Sequence, residues 1–429
     1  MTSLYLLLWI AGGILLQIAV YLGVGFRHHW QDYQALRNIA AGSDIAVTPE
    51  ASIDAQEITS AAWLGLRTFR VERKVLEDAA GQICSFYLEP EDGKPLAPFL
   101  PGQFLTFRLD IPASKGGTAS VIRCYSLSDA PQQNTYRVSI KRAPAPVGKQ
   151  TAPGVSSNFF HDHVKEGSLL QVRAPSGHFY MDRSESPVVL IGGGIGITPM
   201  LSMLNWCLTV QPRREVWLFY GVRNSSELVM QSHLQDLAKA NSNFHLHLCF
   251  SDPLAADLVD NPARHGHHHH SRVDVELLRR LLPLKPYHFY ICGPTPMLAS
   301  LVPALEDWGV PDGRIHFEAF GPASVTRKRS ATAHPSASLA NGNGDAVMVM
   351  FAKSGKQLPW QPGMGSLLDF AEANGIAVNS GCRAGGCGSC QTSIRTGEVT
   401  YTQSPDFDPE PGSCLLCVCT PKTAVTLEV

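Results

Sequence analysis

Charge is scarce in this chain: 17% of its 429 residues are Asp, Glu, Lys or Arg, and the formal net charge is −2. Nucleic-acid binders ordinarily carry a basic surplus, so no nucleic-acid partner is expected. Evenly spread, paired cysteines are also lacking. The cysteines number eleven, and six of them crowd between residues 382 and 419. A secreted disulfide framework would distribute pairs through a small loop-rich domain. Crowding argues instead for metal ligation in a reducing compartment. At this length several domains are expected.

The deepest shortage of charge is at the start. From Thr2 to Phe26 no charged side chain occurs. As a helix that run would measure about 37 Å, against a hydrocarbon layer of roughly 30 Å. The basic head of a signal peptide is missing, and Arg27, His28, His29 and Arg37 follow the apolar run. Residues 1–30 are therefore expected to be a single transmembrane anchor and its end. Membrane lipid is then a partner, and the positive-inside tendency places the bulk on the cytoplasmic side. Residues 31–62 read as a juxtamembrane segment.

Beyond it, the patterning divides the chain. In 63–185, FLTFRLDI (104–111) and TYRVSIKR (135–142) alternate with period two between Pro/Gly turns, which predicts an antiparallel β-barrel. In 186–321, the short apolar runs VVLIGGG, VWLFYG, FHLHLCF and YHFYICG alternate with helical stretches, the pattern of an α/β domain with a buried parallel sheet. Residues 322–345, rich in Ser, Ala, Asn and Gly, read as a linker. Residues 346–429 form a small last domain, whose helix 366–375 is announced by Ser366 as N-cap, Asp369 as its capping-box partner and Gly375 as terminator. The tract HGHHHH (265–270) reads as a solvated loop.

Cys382, Cys387 and Cys390 stand as C-x4-C-x2-C, with Cys414, Cys417 and Cys419 downstream. Zinc sites favour two paired hooks, whereas this loop has a four-residue gap and a glycine pair. The spacing fits thiolate ligation of a [2Fe–2S] cluster. With LLCVCTP (415–421), the segment resembles a plant-type ferredoxin domain. The resemblance implies a β-grasp (α+β) fold and Cys417 as fourth ligand, leaving Cys414 and Cys419 aside.

RCYSLS (123–128) offers a guanidinium fork, an aromatic face and a hydroxyl. GVSSN (154–158) precedes an apparent helix whose free N–H groups suit a phosphate. In this order, and with PGQF (101–104), these segments resemble the flavin domain of the ferredoxin reductase-like superfamily. The resemblance implies FAD held by Arg123, Tyr125, Ser126, Leu127, Lys141, Gly154, Ser157 and Asn158.

VVLIGGGIGITPM (188–200) is a strand, a glycine turn and a helix start, with Thr198 as the expected N-cap and Pro199 as the first helical residue. It is not G-x-G-x-x-G. It is similar to the pyridine-nucleotide half of the same reductases, as is the later Cys292-Gly293-Pro294. That likeness implies NAD(P)H bound by Gly193, Gly194, Gly196, Thr198, Pro199, Cys292, Gly293 and Pro294. HFEAFGP (316–322) resembles the family's closing segment, which implies Phe320 against the flavin and Glu318 nearby. Ser126, Cys292 and Glu318 are the expected catalytic residues. After the second strand, Arg223 suits the 2′-phosphate of NADPH and Glu227 the diol of NADH, and NADH is the expected donor.

The module order flavin, nucleotide, ferredoxin is similar to that of hybrid-cluster-protein and phthalate dioxygenase-type reductases. It implies a membrane-anchored enzyme passing electrons from NAD(P)H through FAD and a [2Fe–2S] cluster to a protein acceptor: an oxygenase, a haem protein or a desaturase. Reverse transfer to NAD(P)+ and a non-catalytic membrane redox sensor are the alternatives.

Overall fold

The computed structural model describes Trp63 and residues 65–429, apart from 113–116, 133, 146–152, 259–265, 321–345, 379, 382, 384, 386, 387, 403, 404, 406 and 408. The expected anchor, juxtamembrane segment and linker lie outside the described residues, as do Cys382 and Cys387. Among the described residues no helix is long and apolar enough to cross a membrane.

The first sheet holds β1 (Arg67–Leu76), β2 (Ile83–Pro90), β3 (Phe104–Pro112), β4 (Thr118–Ser126), β5 (Tyr136–Lys141) and β6 (Leu169–Ser176). They pair antiparallel in the order β4-β3-β6-β1-β2-β5. Alternation along β3 turns Leu105, Phe107, Leu109 and Ile111 into a core shared with Phe86, Val138 and Phe160. Phe160 comes from helix α1 (Val155–Asp162). The outer strands meet just past β4, where Leu127 bridges Val138 and Ser128 N donates to Arg137 O at 2.8 Å.

The second sheet is parallel throughout, in the order β10-β9-β8-β7-β11-β12. Its strands are β7 (Val188–Gly193), β8 (Val216–Val222), β9 (Phe244–Phe250), β10 (His267–His269), β11 (His288–Gly293) and β12 (Ile315–Ala319). Helices α2 (Ile197–Val210) and α3 (Gln231–Ala240) cover the face bearing Val188 and Leu190. Helices α4 (Val275–Leu281) and α5 (Thr295–Asp307) cover the face bearing Val189 and Ile191. Burial on both faces explains why these strands read as apolar runs. The chain leaves β7 in one direction to β10 and returns to its other side with β11. The strand order therefore reverses between β7 and β11, where α/β sheets bind ligands.

Two expectations are corrected here. Helix α2 begins at Ile197 with Gly196 as its cap, because a 3₁₀ turn over Gly194–Gly196 already starts the coil; Thr198 lies inside the helix and its hydroxyl donates to Ile195 O at 3.0 Å. The histidine tract is not a solvated loop: His267–His269 forms edge strand β10, in register with His247–Cys249 of β9. The imidazole of His247 stacks on Phe219 at 4.7 Å and on His267 at 4.8 Å, and its Nδ1 lies 2.9 Å from Nε2 of His269.

The last domain has β13 (Val347–Phe351), β14 (Lys356–Trp360), β15 (Gln391–Thr396), β16 (Val399–Tyr401), β17 (Ser413–Leu415), β18 (Cys419–Pro421) and β19 (Val425–Leu427). Five of these form a mixed sheet in the order β14-β13-β19-β15-β17, while β16 pairs with β18. Helix α6 (Leu367–Ala373) opens on the expected capping box, with Ser366 N donating to the Asp369 carboxylate at 3.0 Å and Asp369 N to Ser366 Oγ at 3.2 Å. Gly375, at φ +67°, follows its end.

Candidate active site

A cavity of about 410 Å³ opens where the three sheets meet, within the roughly 300–1,000 Å³ of small-molecule sites. From the first sheet come Phe104, Arg123, Cys124, Tyr125, Ser126 and Lys141; from the second, Ile195, Thr198, Glu318 and Phe320; from the last domain, Ser380, Gly381 and Arg383. The last three flank or interrupt the first cysteines of the C-x4-C-x2-C motif.

Extended β4 places Arg123 and Tyr125 on one face and turns Ser126 to the other. The Tyr125 hydroxyl donates to Ser156 Oγ at 3.0 Å, and burial pushes its pKa up to about 12. Ser126 Oγ donates to Glu318 Oε2 across 3.5 Å, which is long for a hydrogen bond and leaves the carboxylate with a weak partner. Burial pushes the Glu318 carboxyl up to about 8, with the Ser126 hydroxyl pulling the other way. Lys141 Nζ lies 3.6 Å from Glu227, whose carboxylate also pairs with Arg223.

Seven of the expected residues thus line one cavity: Arg123, Tyr125, Ser126, Lys141, Thr198, Glu318 and Phe320. Others do not. The Leu127 side chain is fully buried in the first-sheet core. Gly154, Ser157 and Asn158 serve the chain itself: Gly154 N donates to Ala143 O at 2.9 Å, Ser157 Oγ accepts from Ala143 N at 3.2 Å, and Asn158 Nδ2 donates to Ala143 O at 3.1 Å. Cys292, the register partner of Glu318, is 0% exposed and does not line the cavity. Burial, then the Glu318 charge, hold its thiol well above the usual range.

The glycine turn does what a nucleotide turn requires. A Cβ on Gly196 would lie 2.1 Å from Cys292 O, and one on Gly193 would lie 2.8 Å from Pro294 Cδ. These glycines let the end of β7 sit directly against the end of β11. Gly194 takes φ +54°, Pro199 is buried inside α2, and Pro294 caps α5 after Gly293. Backbone N–H groups at these ends suit a diphosphate, and the apolar and aromatic walls with Arg123 suit a flavin.

Of the cluster residues, Cys390 is 3% exposed and Cys417 half-buried, and Leu416 N donates to Cys390 O at 3.3 Å. The segment carrying Cys417 is thereby brought beside Cys390. Cys414 and Cys419 are fully buried in the domain core. Among the described residues no three His, Cys, Asp or Glu side chains gather as a ligand set; Cys382 and Cys387 lie outside them. Sequence reasoning missed Arg383. It takes φ +56° and its guanidinium is held by Glu372 and, at 3.5 Å, by Asp369. Its place inside the motif was the available signal.

Residues 190–302 match the oxidoreductase NAD-binding domain family, and residues 350–422 match the 2Fe-2S iron-sulfur cluster binding domain family. A flavohemoprotein of Halalkalibacterium halodurans is 38% identical over 266 residues, 61% of this chain and 62% of that protein. The chain thus spans less than two thirds of that relative's length. The flavohem-like FAD/NAD binding domain of a nitric oxide dioxygenase from Vibrio cholerae is 31% identical, covered in full by 60% of this chain, with a TM-score of 0.50. An intact type IV self-sufficient cytochrome P450 monooxygenase shares the fold over 89% of this chain and 43% of its own, at 20% identity and a TM-score of 0.52.

Proposed function

The chain belongs to the ferredoxin reductase-like FAD/NAD(P) oxidoreductases and carries a C-terminal [2Fe–2S] domain; from that premise we propose that it passes electrons singly from NAD(P)H to a protein acceptor. Its cofactors are FAD, NAD(P)H and the [2Fe–2S] cluster. The observation that carries the reading is the shared cavity: flavin-domain, nucleotide-domain and cluster-loop residues line one space.

FAD bound there supplies the conversion of a two-electron hydride into single electrons for a one-electron cluster. The chain's own residues do the positioning. Arg123 offers a fork for the diphosphate and Tyr125 a flat wall, while Ser126 Oγ is a donor for a ring nitrogen. Glu318, with its pKa near 8, keeps its proton at neutral pH and adds no negative charge where electrons arrive. Thr198 and the glycine turn bring the pyridine nucleotide toward the same space. NADH is the proposed donor; Arg223, which suits a 2′-phosphate, and Glu227, which suits a diol, are paired with each other. Cys382, Cys387, Cys390 and Cys417 hold the cluster.

The acceptor is proposed to be a haem protein or an oxygenase; the flavohemoprotein relatives support the first. A membrane tether in residues 1–30 is proposed from the charge-free run Thr2–Phe26. Anaerobic rapid mixing tests the core reading: NADH should bleach the flavin first and the cluster second. If neither NADH nor NADPH bleaches either centre, the reading fails.

A further inference from the structure

The cluster domain is joined to the rest by residues 322–345, a composition that sets reach but no orientation. A contact between the described parts can hold the loop bearing Ser380, Gly381 and Arg383 over the cavity. One such contact is a ring and a guanidinium. The Arg173 guanidinium on β6 lies 4.7 Å from the ring centroid of Phe407, within the reach of a cation–π pair.

Both partners are tied to the functional site from opposite sides. Arg173 is in register with Thr106, and Thr106 with Cys124, so the three side chains share one face across β6, β3 and β4. Cys124 lines the cavity, which places Arg173 two strands away on the same face. Phe407 N donates to Gly385 O at 3.0 Å. Its ring lies so close over Gly388 that a Cβ there would come within 2.6 Å of it. Gly385 and Gly388, at φ +75° and +71°, belong to the C-x4-C-x2-C loop. Phe407 thus packs on the cluster loop with one side and meets the flavin domain with the other.

We propose that Arg173 and Phe407 form a latch that registers the cluster loop against the cavity, making them positioning residues for electron transfer between flavin and cluster. Neither lines the cavity, so neither is asked to bind or to do chemistry. This inference rests on the electron path proposed above.

The test uses the full chain loaded with its cofactors, under anaerobic rapid mixing with NADH. Arg173→Ala should leave the flavin-bleaching phase at the wild-type rate. It should slow the cluster-bleaching phase severalfold or more, because electron transfer between two centres weakens steeply as their separation grows. Phe407→Leu should do the same, and Phe407→Trp, which keeps a π face, should restore the second phase. Hydrogen exchange, which needs no turnover, should rise in Arg173→Ala both in 405–409 and in β6. If Phe407→Leu loses the cluster, Arg173→Ala decides, since that side chain lies outside the cluster domain. An unchanged second phase together with unchanged exchange in Arg173→Ala overturns the latch and leaves the electron path standing. Failure of the wild-type protein to bleach at all would overturn the path instead.

Discussion

Glu318 joins two facts: its carboxyl lines the cavity and burial pushes its pKa up to about 8. Near neutrality it is uncharged, and as pH rises through 8 it becomes a carboxylate facing the incoming electrons. Flavin bleaching by NADH should therefore slow above that pH, no more steeply than about tenfold per unit. Glu318→Gln, which cannot ionise, should give a flat profile over the same range in stopped-flow absorbance. A profile with the same falling limb in the variant would remove Glu318 from this role. The cysteines separate at the same scale. Cys414→Ser, deep in the domain core, should retain the electron paramagnetic resonance signal of the reduced cluster, whereas Cys417→Ser should abolish it. The opposite outcome would reassign the fourth ligand.

The edge of the parallel sheet is expected to respond to acid. His247 is 2% exposed; burial, then His267, His269 and His245, push its pKa down to about 3. The groups facing the cluster are Glu215 and Lys285 beside His245, and Arg280 beside His269. Unfolded, the imidazole titrates near 6.5, so below that pH the unfolded chain binds a proton that the folded one refuses. Stability is fully present above about 6.5 and is lost as pH falls toward 3. One such group accounts for about 2 kcal/mol between pH 6.5 and 5. Thermal unfolding at the two pH values should show a smaller drop for His247→Phe, which keeps a ring against Phe219. An equal drop would place the acid sensitivity elsewhere. This edge also marks what was legible. Period-two alternation of apolar residues delivered β3 and β5, and the four apolar runs delivered β7, β8, β9 and β11, because each pattern is carried within its own strand. HGHHHH has no such pattern. It becomes a strand only because β9 alternates its own histidines toward it, a pairing no local window contains. Gly154, Ser157 and Asn158 also bond the Ala143 backbone, a contact that the pattern around helix α1 does not display.

At the scale of the molecule, the cavity depends on residues brought together from far apart in the chain. Arg123, Glu318 and Arg383 are three side chains from three domains, and each motif could be read alone, but the cluster loop's arrival over the flavin residues could not. That convergence lets the N-terminal run be argued separately from catalysis. Residues 67–427 include every residue that lines the cavity and, by sequence, all four proposed cluster ligands. If the charge-free run Thr2–Phe26 only tethers, deleting residues 1–30 should release the protein from membranes on cell fractionation and leave both bleaching phases at the full-length rates. Delivery of electrons to a membrane-borne acceptor should fall in the same variant, because the tether raises the effective concentration of one partner near the other. A deleted chain that still sediments with membranes would refute a single anchor. A deleted chain that no longer bleaches its flavin would show that the N-terminus takes part in the site itself.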